Sequence, residues 1–285
     1  MKKLIALVLA LALTLTLSLS AALADPITIA IPNDPTNEGR ALLLLQKLGV
    51  LTLNEDAGLT ATVRDVASTS VDIELVEIEA PLLPQFKLDG DVDYVIINNN
   101  YALEAGLNPV ADSLAIEDAD SPYVNVVSVK AGNENTDAAK ALVAAVTSQQ
   151  VVDYINAKYE GAAIATIENP TDGYDSTVDY DALAGTVINI AATAVPHEEV
   201  LKDVVVGILA EKGIELEVIS VSDYITPNTL VNDGDVFANY FAHQPYQDDF
   251  NAENGTDLVT VAGVHVEPMA LYGGAQDTLD ALLGK

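Results

Sequence analysis

Cysteine and tryptophan are absent from this 285-residue chain, histidine occurs 3 times, methionine twice, and 12 basic residues stand against 43 acidic ones. Without cysteine there is no disulfide, no thiolate metal site, no cysteine nucleophile and no cysteine after an export signal to carry lipid. A formal charge of −31 repels nucleic acid and anionic lipid headgroups alike, so neither is expected as a partner. The acids are scattered, no Asp-rich loop has calcium-loop spacing, and the excess reads as a solvated surface. His197, His243 and His265 lie far apart, with no His-x-x-x-His pair and no Gly-x-Ser-x-Gly nucleophile turn. No glycine-rich phosphate loop or dinucleotide fingerprint follows a leading strand. The expectation is therefore a protein that is not an enzyme and needs no cofactor or metal.

What is present begins with an export signal. Lys2 and Lys3 precede an apolar run from Leu4 to about Leu19, and Ala22-Leu23-Ala24 supplies a small-residue cleavage site. Residues 1–24 are thus set aside as a signal peptide. Cleavage would release a soluble chain from Asp25, secreted or periplasmic and without a lipid anchor. Half of the residues are apolar, enough for two modest domains with separate cores.

Strand-like and helix-like periods then alternate, which predicts an α/β protein with mostly parallel strands. Strands are expected at 27–31, 73–78, 92–98 and 123–129, and helices from Pro35 and over 136–159. An acidic, turn-rich segment near 167–184 reads as a linker. A second run with the same order follows: Val187-Ile-Asn-Ile190, a helix over 196–212, Ile214 to Ile219, then Asp233-Gly-Asp-Val236, matching Asp89-Gly-Asp-Val92 of the first run. Two lobes of like topology are implied, over 25–108 and 109–285, with the 273–285 tail next to the hinge. Open α/β sheets bind ligands at strand carboxyl ends, so Asn98 and Asn239 are both expected to face one cleft.

Three segments carry candidate binding chemistry. Ile31-Pro-Asn-Asp-Pro-Thr-Asn-Glu-Gly-Arg40 is a strand end running into a capped helix, and a cation so near a helix start opposes the macrodipole unless an anion joins it. Arg40 is read as a ligand arginine. Tyr240-Phe-Ala-His-Gln-Pro-Tyr246 clusters aromatics with a histidine; Phe241, His243 and Tyr246 suit an apolar or thioether side chain, against the plainer reading of core residues and a helix cap. Tyr224 closes the preceding strand as a further wall. Asn125, inside a strand that otherwise reads as buried, needs hydrogen-bond partners that a ligand's polar groups would supply.

Taken together, these segments resemble the MetQ/NlpA family of substrate-binding proteins for methionine-type ABC importers. The resemblance rests on Ile31 to Gln46, Ile97-Asn-Asn-Asn-Tyr-Ala102, Ser121-Pro-Tyr-Val-Asn125, Ala194-Val-Pro-His197, Ser222-Asp-Tyr224, Asn239 to Tyr246 and His265-Val-Glu-Pro-Met269. It implies a two-lobed, type II-like periplasmic-binding-protein fold, each lobe a mostly parallel sheet flanked by helices. It also implies a methionine-like small molecule in the cleft, an importer permease and ATPase as partner, and a monomer. By the same resemblance Arg40 holds the ligand carboxylate, Asn98 and Asn125 make polar contacts to the α-amino and carboxylate groups, and Tyr224, Phe241, His243 and Tyr246 cage the side chain. Two departures stand out: the family's lipid-bearing cysteine is missing, and the segment around His197, usually near the start, lies far downstream. The order thus looks circularly permuted, with new ends between Tyr272 and Pro26 at a lobe crossing and a single remaining crossing near Pro109. A looser hinge follows as an expectation. Competing readings are a secreted two-lobed hydrolase or lyase and an acidic, non-transport interaction protein.

Overall fold

A computed structural model describes residues 25–118 and 121–285; the export segment at 1–24 lies outside the described residues. The first half runs β1 (Ile27–Pro32), α1 (Pro35–Lys47), β2 (Leu51–Leu53), β3 (Val66–Thr69), β4 (Ile73–Ile78), α2 (Leu83–Asp89), β5 (Tyr94–Ile97), α3 (Asn99–Glu104), α4 (Pro109–Asp112) and β6 (Ala115–Ile116). Next come β7 (Val124–Lys130), α5 (Asp137–Val146), α6 (Gln149–Tyr159), β8 (Ile164–Ala165), α7 (Tyr180–Leu183) and β9 (Val187–Thr193). The chain closes with α8 (Val206–Ala210), β10 (Glu215–Val221), α9 (Thr226–Asp233), β11 (Ala238–His243), α10 (Gln244–Asn254), β12 (Leu258–Val266) and β13 (Ala270–Gly273). The helix expected over 196–212 is interrupted: wide turns at Ala194–Glu198 and Leu201–Val205 precede the regular turn of α8.

Two large sheets, each covered by helices, give an α/β fold of two lobes, with β2 and β3 forming a separate two-stranded sheet. The first has the order β4-β1-β5-β13-β6 and the second β10-β9-β11-β7-β12-β8. In each, three parallel strands stand in the order second-first-third, β4-β1-β5 and β10-β9-β11, followed by an antiparallel neighbour. The internal likeness of the two runs is therefore a likeness of topology. The shared Asp-Gly-Asp-Val has a local cause: Gly90 (φ 68°) and Gly234 (φ 80°) end α2 and α9 in the left-handed conformation, which lacks the usual steric cost for glycine.

Strand alternation divides each sheet between two apolar layers. Ile29 and Ile31 face Leu42 and Leu45 of α1, while Ala30 faces Leu83, Val95 and Tyr272 on the opposite side. In the second lobe Tyr240 joins Ile190, Leu142 and Ile155 on one face, and Phe241 joins Val231, Tyr246 and Phe250 on the other. Each fully buried Leu or Ile contributes roughly 1.5–3 kcal/mol.

Several expectations need correction. The sheets are mixed: β13 runs antiparallel to β5, and β7 antiparallel to β11 and β12. The boundary at 108/109 is too early, because β6 belongs to the first sheet, and so does β13 from the far end of the chain. The tail beyond Gly273 packs on the first lobe: Leu282 is fully buried with Leu42 and Leu45, and the Tyr94 hydroxyl donates to the Thr278 carbonyl at 2.7 Å. The chain crosses between sheets twice, from β6 to β7 and from β12 to β13, instead of once near Pro109. Both proposed new ends, beside β1 and β13, fall in one sheet, so no crossing is lost there and the basis for a looser hinge is gone.

Candidate functional site

Residues at the carboxyl ends of β5 and β11 and in the starts of α1, α3 and α10 line one partly open cavity, with side chains contributed by both lobes. Arg40, Asn98, Asn125, Tyr224, Phe241, His243 and Tyr246, each singled out from the sequence, all line it. Asn37, Asn99, Asn100, Ala242 and Glu267 complete the wall.

Local chemistry positions the first lobe's share. Asp34 caps α1 by accepting from the Asn37 backbone at 3.0 Å and also takes the Asn37 side-chain amide. Burial raises the Asp34 pKa, and these hydrogen bonds oppose the shift. Gly39 lets the helix lie against the chain at Leu59; a Cβ there would stand 2.3 Å from the Leu59 carbonyl oxygen. The next residue, Arg40, is 4 % exposed, so its charge must be met inside the protein. Its Nε donates to both oxygens of Glu117 at 2.9 Å, and Nη2 donates to Glu117 Oε2 at 2.7 Å and to the Glu267 carbonyl at 2.5 Å. The Tyr123 ring covers the guanidinium at 4.5 Å. Burial works to lower the Arg40 pKa, but the Glu117 carboxylate outweighs it and holds the guanidinium firmly protonated. Among the described residues Nη1 has no hydrogen-bond partner.

In the second lobe, His243 does cap a helix, as its plainer reading held: Nδ1 accepts from the Tyr246 backbone at 3.1 Å. The opposite ring nitrogen then carries the proton and donates to Asn37 Oδ1 at 3.1 Å. Burial, and then Arg40, push the His243 pKa far down and keep the ring neutral. Tyr224, Phe241 and Tyr246 form a mutual aromatic triangle with centroid separations of 5.8–6.0 Å. Tyr224 also donates to Asn100 Oδ1 at 2.6 Å across the cleft.

A buried cluster lies behind Asn125. His197 Nδ1 accepts from Thr193 at 2.8 Å, so its Nε2–H donates to Asn125 Oδ1 at 3.0 Å and lies 3.1 Å from Glu267 Oε1. His265 Nδ1 shares a hydrogen bond with the Tyr240 hydroxyl at 2.6 Å, and its Nε2–H donates to Glu267 Oε1 at 2.7 Å. Burial drops the His197 pKa to about 3. It works to raise that of Glu267, but both imidazoles and Arg40 outweigh it and hold the carboxyl below its ordinary value. The potential ligand atoms of His197, His265 and Glu267 lie within 4.8 Å of one another, the spacing a metal ion would need. The hydrogen bonds account for every ring nitrogen without one.

Asn239 departs from expectation. It is the second residue of β11, which continues to His243, and its amide turns inward to the Pro227 carbonyl and Asn228 Oδ1. Other residues carried too weak a signal. Asn37 stands one helical turn before Arg40 on the same face, and Glu267 lies inside His265-Val-Glu-Pro-Met269, so both were within reach of the pattern. Glu117 meets Arg40 across 77 positions with nothing local to announce it.

The polar wall retains unpaired buried atoms: among the described residues Asn98 Oδ1, Asn99 Oδ1 and Asn100 Nδ2 have no hydrogen-bond partner. Buried polar groups are normally paired, so this set is suited to a small polar ligand.

The model of the NlpA lipoprotein family matches residues 18–167 and 188–284, and the chain belongs to that family. The unmatched stretch between the two segments coincides with the acidic linker. Outer membrane lipoprotein 3 of Mannheimia haemolytica is 46 % identical over 144 residues, 50 % of this chain and 54 % of that protein. The D-methionine-binding lipoprotein MetQ of Escherichia coli strain K12 is 40 % identical over 142 residues, 50 % of this chain and 52 % of that protein. Thus the chain spans about half the length of the curated relatives it matches. Among solved structures, a nutrient-binding protein from Burkholderia cenocepacia bound to methionine is 40 % identical, with a TM-score of 0.47 over 50 % of this chain and 61 % of that one. Among the described residues no helix is long and apolar enough to cross a membrane.

Proposed function

We propose that this chain is an extracytoplasmic substrate-binding protein that closes its two lobes on methionine or a close relative and presents it to an ABC importer. The observation that carries the reading is that one cavity, lined from both lobes, has polar residues on one side and aromatic residues on the other. At the polar end, Arg40 Nη1 and the Asn125 amide, whose oxygen already accepts from His197, leave N–H donors for a carboxylate. The unpaired Asn98 oxygen is an acceptor for an ammonium. At the other end, sulfur packs favourably against aromatic ring edges, and Tyr224, Phe241, His243 and Tyr246 supply them. Family membership and the methionine-binding names of relatives support the ligand class.

Closure is the working step, and the protein needs no catalytic group for it. The permuted order that the sequence suggests is supported by the two-segment family match and by relatives that each align with half the chain. It leaves both interlobe crossings in place and requires only one chain per site, a monomer.

Calorimetric titration of the purified chain with L-methionine, D-methionine and Gly-Met tests the proposal. A saturable heat with at least one of the methionine isomers, lost in Arg40→Ala, is expected. No heat and no thermal shift with any of the three would overturn it.

A further inference from the structure

The charges around the cavity do not balance. Arg40 is the buried cation of the wall, and Glu117 already holds two of its three nitrogens in a bidentate pair. His243 Nδ1 accepts from the Tyr246 backbone, and burial holds the His197 and His243 rings neutral. Glu267 remains. It is 5 % exposed and lines the cavity; Oε1 accepts from His265 and faces His197, while Oε2 has no hydrogen bond among the described residues. The neutral His197 N–H solvates the carboxylate but does not cancel its charge, and a buried charge is costly until its free oxygen is also met.

We propose that Glu267 is the residue that makes this site select ligands bearing an α-ammonium, its free oxygen receiving that group beside the unpaired oxygens of Asn98 and Asn99. The inference rests on the amino-acid reading above and deepens it. Three acceptors match the three N–H donors of an ammonium. His197 and His265, backed by Thr193 and Tyr240, fix the carboxylate in place, so they are positioning residues that do not themselves need to touch the ligand.

A consequence runs against the prominence of Arg40. Because Glu117 has neutralised the guanidinium, the cavity with Glu267 has net negative character and tolerates loss of the ligand's carboxylate better than loss of its ammonium. The test titrates the parent and Glu267→Gln with methionine, its deaminated acid 4-(methylthio)butanoate, and its decarboxylated amine 3-(methylthio)propylamine. In the parent, the acid is expected to bind about a hundredfold more weakly than methionine, and the amine to lose less. In Glu267→Gln, methionine weakens about tenfold or more while the acid binds as in the parent or better, so the preference collapses. Should Glu267→Gln fail to fold, the order of acid and amine in the parent decides alone. Parent binding of acid and methionine with equal affinity, or an unchanged preference in a folded Glu267→Gln, would overturn the proposal. A parent that binds none of the three overturns the amino-acid reading itself, which separates the two failures.

Discussion

Arg40 is held by two neighbours before any ligand arrives, through Glu117 and the Glu267 carbonyl. Glu117 also accepts from the Met269 backbone at 2.8 Å, so this one carboxylate joins the helix that carries Arg40 to both chain crossings between the lobes. Breaking a buried pair by removing one partner costs roughly 3–5 kcal/mol, because the other charge is left unpaired. Glu117→Gln is therefore expected to lower Tm and weaken methionine binding together, which thermal melts and titration on one preparation will show. His197 yields a second prediction at this scale. Its pKa drops from 6.5 in the unfolded chain to about 3 in the folded one, so the unfolded state binds the extra proton between those values. Its contribution to stability is complete above pH 6.5 and is lost as pH falls toward 3, at about 1.4 kcal/mol per pH unit. Denaturation at pH 7.5, 5.5 and 4.5 should show this slope, and His197→Gln should flatten it by about one proton's worth. An identical slope in the variant would locate the proton elsewhere.

At the scale of elements, α1 fixes the site through its approach to the Leu59 backbone. Gly39→Ala places a Cβ 2.3 Å from a carbonyl oxygen that cannot rotate away, so the helix must shift. Overpacking of this kind costs typically 1–3 kcal/mol. It should also displace Arg40, visible as weaker methionine binding in the fraction that remains folded. Helix α1 was legible because its cap, Pro35 and its leucine stripe are local features, and β4 was found at Ile73–Ile78 as its alternation indicated. The seven candidate site residues share one cavity because strand ends and helix starts are local too. Two kinds of feature were not legible. Strand β13 is four residues long and joins β5 from nearly 180 positions away, so nothing nearby assigns it to the first lobe. Asn239 looked like the partner of Asn98 because both follow Asp-Gly-Asp-Val in an expected strand, although Asn98 stands six residues after Val92 and Asn239 only three after Val236. Yet β11 runs on to His243 whereas β5 stops at Ile97, and the added length buries Asn239 below the cleft.

For the whole molecule, the lobes are joined across the cleft by few but well-formed bonds: Tyr224 to Asn100, Tyr101 to the Ser222 carbonyl, Asn99 to the Ala162 carbonyl and His243 to Asn37. Such a small set suits a closed form stabilised jointly by side chains and ligand, since a ligand shifts the equilibrium only by what it gains in that form. Tyr224→Phe keeps the aromatic wall but removes the bond to Asn100, worth about 1 kcal/mol net. Methionine affinity should fall about fivefold with little change in Tm; unchanged affinity would mean that this bond does not report on closure. The central claim is that one interlobe cavity holds an amino acid with its charged end at Arg40, Asn125 and Glu267 and its side chain among Tyr224, Phe241, His243 and Tyr246. A crystal structure of the chain grown with L-methionine tests it most directly. The account predicts the carboxylate on Arg40 and Asn125, the ammonium on Glu267 Oε2, and the sulfur within the aromatic triangle. Methionine in the reverse orientation, or bound outside this cavity, would contradict it.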